Sequence, residues 1–343
     1  LKLIVNTPLD APLVLRVNSI VMSRALLRLA RRFVVVSLII AVAPAASADT
    51  PIRVATPGAL TGAIPVYLGA KRGVFAKYGL GVEVIATRNE QMNMQALMSN
   101  SVQFLTSSTT GLFYLAKQGA DAVGLGSWNN SSPYSLGSRL KIKDLKELRG
   151  KKIASSGAGG RAEAFILFML SKVGLDPKKD VQIIGLSGGS AVRLAAVASG
   201  NIDATLISTL QGRYAEKIGL TVLTLPLEYM WGINLTRKSY LEKNRLTVKA
   251  YLKGLAESVR LMMADKEGTM KLMAQVLRID DRDSLDYAYR MTVADARPDL
   301  YPTEEAITNV LKTMSYEDPA FLSIPPYKHF DLSLIEELKT ESR

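Results

Sequence analysis

Residues 181–209 read VQIIGLSGGSAVRLAAVASGNIDATLIST. The apolar, β-branched run at Val181, Ile183 and Ile184 predicts a strand, and the glycine-serine stretch after it a loop. An apolar helix follows, stopped at Gly200, with a second strand beginning near Ile202. Residues 82–109 read VEVIATRNEQMNMQALMSNSVQFLTSST and repeat the unit. Val82 aligns with Val181, Ile85 with Ile184 and Ala96 with Ala195; after a one-residue shift Val102 aligns with Ile202, Ser108 with Ser208 and Thr109 with Thr209. Two copies of one strand-loop-helix-strand unit predict two lobes of the same kind with a cleft between them.

Working outward, strands are predicted at 52–56, 102–106, 123–127, 152–155 and 220–225, alternating with helices from Ile64 and from Ala162. Pro65 falls in the first turn of its helix, where a missing N–H does no harm. After Thr247 the pattern is helical: Tyr251, Leu255, Val259 and Met262 share one face, and further helices are expected at 268–277, 283–293 and 304–314. Strands alternating with helices place the chain in the α/β class, with a parallel-rich sheet in each lobe and the C-terminal helices packed back on the first. The chain crosses at 134–139 and returns at 229–235, so residues 49–136 begin lobe 1, 137–229 form lobe 2, and 230–343 complete lobe 1. The two crossings form a two-strand hinge.

The 343 residues carry a formal charge of +12. Six basic residues against Asp10 put +5 of it in residues 1–48, leaving +7 for the rest, where basic and acidic residues interleave. That pattern gives no nucleic-acid stripe. Residues 1–48 read as a leader starting at Met22: Arg24, Arg28, Arg31 and Arg32 form a basic region, Phe33–Ala43 an apolar one, and Ala46-Ser47-Ala48 a cleavage site. An apolar run ended by Pro44 is about half of the roughly 20 residues a membrane span needs. Cleavage after Ala48 and export to the periplasm are expected. The chain has no cysteine, which excludes disulfides, thiolate metal sites and cysteine nucleophiles, and His329 is its only histidine. No metal or cofactor is therefore expected.

Two motifs carry chemistry. Gly185-Leu186-Ser187-Gly188-Gly189 matches the G-x-S-x-G of a nucleophile elbow, and Asp203 and His329 follow in the order of a hydrolase triad. A secreted serine hydrolase using Ser187 is thus an alternative reading. Gly157-Ala158-Gly159-Gly160-Arg161-Ala162 matches a dinucleotide fingerprint, but the next strand ends in Ser187 rather than in the acid a ribose needs. Those glycines can instead aim backbone N–H groups at an anion. Methionines 92, 94, 98, 262, 263, 270 and 273 sit at helical spacings that core packing explains.

Ligands of open parallel sheets bind beyond the carboxyl ends of the strands. Those loops offer Thr61, Arg88, Asn89, Ser107, Ser108 and Trp128 from the first lobe. The second offers Ser156, Arg161, Ser187, Ser190 and Thr209. Arg88 and Arg161 are candidates for a carboxylate or sulfonate, which guanidinium donors match in pairs. Trp128 and Tyr229 could stack on an aromatic ligand or simply pack in the core.

From Ile52 to about Met314 the chain resembles periplasmic solute-binding proteins of the nitrate/taurine/alkanesulfonate ABC-importer class. The resemblance rests on AIPVYL at 63–68 leading to KRGVF at 71–75, YGL at 78–80, LRGKKIA at 148–154 and SGNIDA at 199–204. The chain departs from that pattern at Asn100 and Gln103, and has Thr205 and Leu206 where a tryptophan often follows. The cysteine-rich motif of the related thiamine-pyrimidine synthases is missing. The resemblance implies the two-lobed periplasmic-binding-protein fold of type II and a monomer that closes on a small-molecule ligand. It implies as partners an ABC permease with its ATPase, or, alternatively, a membrane sensor.

Overall fold

The computed structural model describes residues 49–341 other than 59, 60, 133, 158, 159, 188 and 226, and at 57 and 209 the backbone alone. The leader predicted at 1–48, with its cleavage site, lies outside the described residues. Among the described residues ten strands form two five-stranded sheets. The first holds β1 (Thr50–Pro57), β2 (Leu80–Thr87), β3 (Phe104–Ser108), β4 (Val123–Gly126) and β10 (Gly232–Thr236) in the order β2-β1-β3-β10-β4. The second holds β5 (Tyr134–Ser138), β6 (Lys152–Ser155), β7 (Gln182–Gly185), β8 (Ala204–Ser208) and β9 (Thr221–Thr224) in the order β7-β6-β8-β5-β9. The orders are equivalent position by position, so the repeat is a whole sheet. Val82 and Val181 mark the edge strands β2 and β7, and Ser108 and Ser208 end the inner strands β3 and β8.

The sequence reading placed parallel strands in both sheets and took 134–139 and 229–235 as connections. Each connection is in fact also a strand, laid antiparallel against its neighbours: β5 between β8 and β9, and β10 between β3 and β4. YSLGS has no β-branched residue and GINLT opens on a glycine and centres on an asparagine, so local propensity announces them weakly; their backbone groups pair with those of the neighbouring strands.

Helices cover both sheets. In the first body α1 (Ile64–Lys71) follows β1, α2 (Glu90–Met98) follows β2 and α3 (Thr109–Lys117) follows β3. In the second, α4 (Arg161–Lys172), α5 (Gly189–Ala198) and α6 (Gly212–Lys217) take the corresponding places. The chain then continues through α7 (Lys238–Lys243), α8 (Arg245–Ala264), α9 (Lys266–Leu277), α10 (Arg282–Val293), α11 (Glu304–Met314) and α12 (Ser333–Glu341). Local chemistry sets their ends. The Asn89 side chain accepts from Met92 N at 2.9 Å and starts α2, while Asn100 beyond its end stands at φ 63, a conformation asparagine tolerates better than most side chains.

The α1–α8 contact is close because it is built on glycine. A Cβ on Gly69 would sit 2.1 Å from Ser258 Oγ, and one on Gly254 would sit 2.4 Å from the Phe75 ring. Phe75, Tyr251 and Phe104 then stack in one column inside the first body, with Tyr251 fully buried. Not all the C-terminal helices pack on the first body as expected. α11 lies against both α3 and α4, and its Ile307, Val310, Leu311 and Met314 join a core that runs from Leu105 and Phe113 to Phe165 and Phe168.

Candidate functional site

The carboxyl ends of the inner strands of both sheets face a shared cleft of about 620 Å³. Loops that leave parallel strands at this end have exposed backbone N–H groups and few packing obligations, which is why binding groups collect there. From the first body it is lined by Thr61, Gly62, Asn89, Glu90 and Thr106 to Ser108, and by 127–129 beyond β4. Tyr134, Arg161, Ser208, Leu210, Thr224 and Leu225 face them, with Trp231 and Gly232 on the return crossing and Met291, Thr292 and Asp295 from the end of α10.

Six of the eleven residues chosen from sequence meet in this cleft: Thr61, Asn89, Ser107, Ser108, Trp128 and Arg161. Arg88, Ser156, Ser187 and Ser190 do not line it; the Arg88 and Ser187 side chains are exposed, and Ser156 Oγ is buried without a partner. The Thr209 side chain lies outside those described. Tyr229 is 2% exposed and packs against Phe165, so it belongs to the core and to a small pocket beside the cleft. Trp128 does both jobs: 6% exposed, its indole N–H donates to the Gly62 carbonyl at 3.0 Å, which fixes the wall it forms.

Charge in the cleft comes from one guanidinium and two carboxylates. Arg161 opens α4 and lies over the Trp231 ring, 5.8 Å from its centroid, a cation–π arrangement that also orients the donor fork. Tyr134 fits between Phe165 at 4.9 Å and Trp231 at 5.7 Å. Burial raises the Tyr134 phenol above its ordinary pKa, with Arg161 and Arg193 pulling the other way, so it stays a neutral hydroxyl. Asp295 Oδ2 accepts from Asn130 N at 3.0 Å, and Glu90 Oε1 accepts from Ser107 Oγ, Ser108 N and Ser108 Oγ at 2.6, 2.6 and 2.5 Å.

Sequence reasoning missed Glu90, Tyr134, Trp231 and Asp295. An acid in the first turn of a helix reads as complementing the helix dipole, and nothing local says that it faces a cleft. Asp295 required knowing which C-terminal helix reaches the mouth. Arg193 was hidden inside an apolar run: it is 7% exposed, its Nε has no hydrogen-bond partner, and burial lowers its pKa.

The hydrolase triad is not assembled. The Asp203 carboxylate is held by Arg139 and by Lys152 N at 2.8 Å in the second body. His329 sits in the first, where its carbonyl accepts from Gly124 N at 2.9 Å and its ring meets Phe113 edge-on. Among the described residues no cluster of histidine, aspartate or glutamate could hold a metal ion.

The two bodies also touch where α6 meets α10. Arg213 and Lys217 of α6 pair with Asp283 and Asp281 at the start of α10, at 2.6 and 2.7 Å, and Gly212 lies under the Tyr287 hydroxyl, 2.2 Å from where a Cβ would be. Exposed pairs of this kind contribute little singly, but they act on a hinge. A protein carrying Asp281→Lys and Asp283→Lys is expected to shift toward an open form by roughly fivefold. Small-angle scattering of the unliganded protein would show a larger radius of gyration; an unchanged radius at every ionic strength would mean that these pairs do not hold the bodies together.

The family described as NMT1/THI5 like matches residues 61–269. Among curated proteins, one from Brucella abortus (strain 2308) is 25% identical over 259 residues, covering 73% of this chain and 79% of its own. YtlA of Bacillus subtilis (strain 168) is 24% identical over 200 residues, 56% of this chain; the match spans only 60% of YtlA. Both carry names that propose a binding role. Among solved structures, the periplasmic aliphatic sulphonate binding protein SsuA from Escherichia coli is similar with a TM-score of 0.64 at 19% identity, covering 83% of this chain and 91% of that one. At that identity the likeness is one of fold, the two-lobed periplasmic-binding-protein architecture.

Proposed function

The chain belongs to the NMT1/THI5-like family, and from that premise we propose that it is the solute-binding component of an ABC importer. One observation carries the reading: a cleft of about 620 Å³ between two like bodies joined by two crossings, lined by hydroxyls, indoles and three charged groups. A cavity of that size takes a small organic molecule, and closure of the bodies around it would dry the pocket, where a few fixed polar groups set orientation. Thr61, Asn89, Ser107, Ser108, Trp128 and Arg161 are the proposed contacts. Arg161 would take a carboxylate or sulfonate group, as the name of the Escherichia coli neighbour suggests.

The rest of the proposal follows from that role. The leader would be removed after Ala48, and the protein would act as a periplasmic monomer that docks on a permease with its ATPase. Sequencing the mature N-terminus tests the first point: a start far from Asp49 would contradict it.

The binding role is tested by a thermal-shift screen of sulfonates, carboxylates, amines and amino acids. A true ligand at a hundredfold excess over its Kd should raise the melting temperature by about 5 °C, because it binds the folded state alone. Trp231→Ala should abolish the shift. A screen without a hit, together with esterase activity lost in Ser187→Ala, would sink the proposal and restore the hydrolase.

A further inference from the structure

Glu90 occupies the place where an anionic ligand would be expected. Three donors converge there, Ser107 Oγ, Ser108 N–H and Ser108 Oγ, at the N-terminus of α3. Such a cradle suits an anion, since the helix dipole and free N–H groups both favour negative charge. In this chain all three donors end on Glu90 Oε1. The fit is built in: a Cβ on Gly111 would lie 2.9 Å from Glu90 Oε1 and 2.1 Å from Met94 Cε, so only glycine lets the carboxylate settle against the helix end. Among the described residues Glu90 Oε2 makes no hydrogen bond, and Glu90 lines the cleft. Thr106, 7% exposed, also lines the cleft, with a buried Oγ1 that has no partner.

We propose that Glu90 is an internal anion that closes the first body's anion cradle and turns that wall into a subsite for a cationic nitrogen. The ligand presents an ammonium or amidinium N–H to Glu90 Oε2, while the rest of it lies toward Trp231 and Arg161. Asp295 on the same side of the cleft adds negative potential and no competing donor. Simple monoanions are poor ligands for this arrangement, because they would meet a carboxylate where their own negative group should go. This rests on the solute-binding role proposed above and deepens it by naming the ligand's charge.

Two titrations of the full protein test it. Methanesulfonate, followed by calorimetry, should bind the wild type weakly and Glu90→Ala at least about tenfold more tightly, because the cradle is then open. In parallel, 4-(aminomethyl)benzoate should bind the wild type about tenfold or more better than 4-methylbenzoate, and Glu90→Gln, whose amide oxygen can still accept from the serines, should erase that difference. The inference is overturned if Glu90→Ala, shown folded by its melting curve, gains no sulfonate affinity. It is equally overturned if the methyl compound binds the wild type as well as the amine. A screen in which no organic solute binds, while Glu90→Ala gains the sulfonate, would sink the importer role and leave the cradle as assigned.

Discussion

Asp203→Ala is expected to cost about 3 kcal/mol of stability, the range for removing a buried, hydrogen-bonded carboxylate. The side chain is 12% exposed and holds together three segments of the second body: it accepts from Lys152 N at 2.8 Å, pairs with Arg139, and stands at the entrance to β8. Arg139 is 43% exposed and will rehydrate, so most of the loss falls on the Lys152 N–H at the start of β6. Urea unfolding of the two proteins measures the difference.

The pH dependence supplies a second check. Burial pushes the Asp203 carboxyl up, but the Lys152 N–H and the Arg139 guanidinium together outweigh it and leave its pKa below the ordinary value. A carboxyl whose pKa is lowered by folding contributes stability above its unfolded value, about 3.9, and loses it as the pH falls through the folded one. The advantage of wild type over Asp203→Ala should therefore be constant from about pH 8 to 5 and shrink below about 4. A gap that persists unchanged to pH 2 would show that the charge does not matter.

Tyr251→Ala should cost about 4 kcal/mol, at the level of large-to-small changes in aromatic cores. The ring is fully buried, 3.9 Å from the Phe104 centroid and 5.7 Å from that of Phe75, and its plane is nearly parallel to both. Its hydroxyl donates to Asn234 Oδ1 at 3.0 Å, tying α8 to β10. Tyr251→Phe separates the two contributions and should cost only about 1 kcal/mol. If the two variants lost equal stability, the stacking column would not be what binds the C-terminal helices to the first sheet.

The α/β class and the repeat were legible because their signals are local. β-branched runs, apolar helices and stops such as Gly200 are written within single segments, as in 181–209. The antiparallel strands were not, because Tyr134–Ser138 and Gly232–Thr236 are strands only by virtue of the slots they fill. The site divides the same way. Topology names the loops that reach a cleft, and so Ser107, Ser108, Asn89 and Arg161 could be chosen. It does not say which residue of a loop turns inward, and so Arg88 was preferred to Glu90 and Ser187 to the buried Arg193 nearby.

The late return of β10 to the first sheet sets an order for folding. The second sheet draws all its strands from a continuous stretch, 134–224, whereas the first needs β10, which pairs Asn234 with Thr106 and Leu235 with Leu105. Closing such a distant pairing carries a loop-entropy cost that slows folding. A chain emerging from its N-terminus can therefore finish its second half before its first. Until β10 arrives, β3 presents an unpaired inner edge, the kind of surface on which unfinished chains associate.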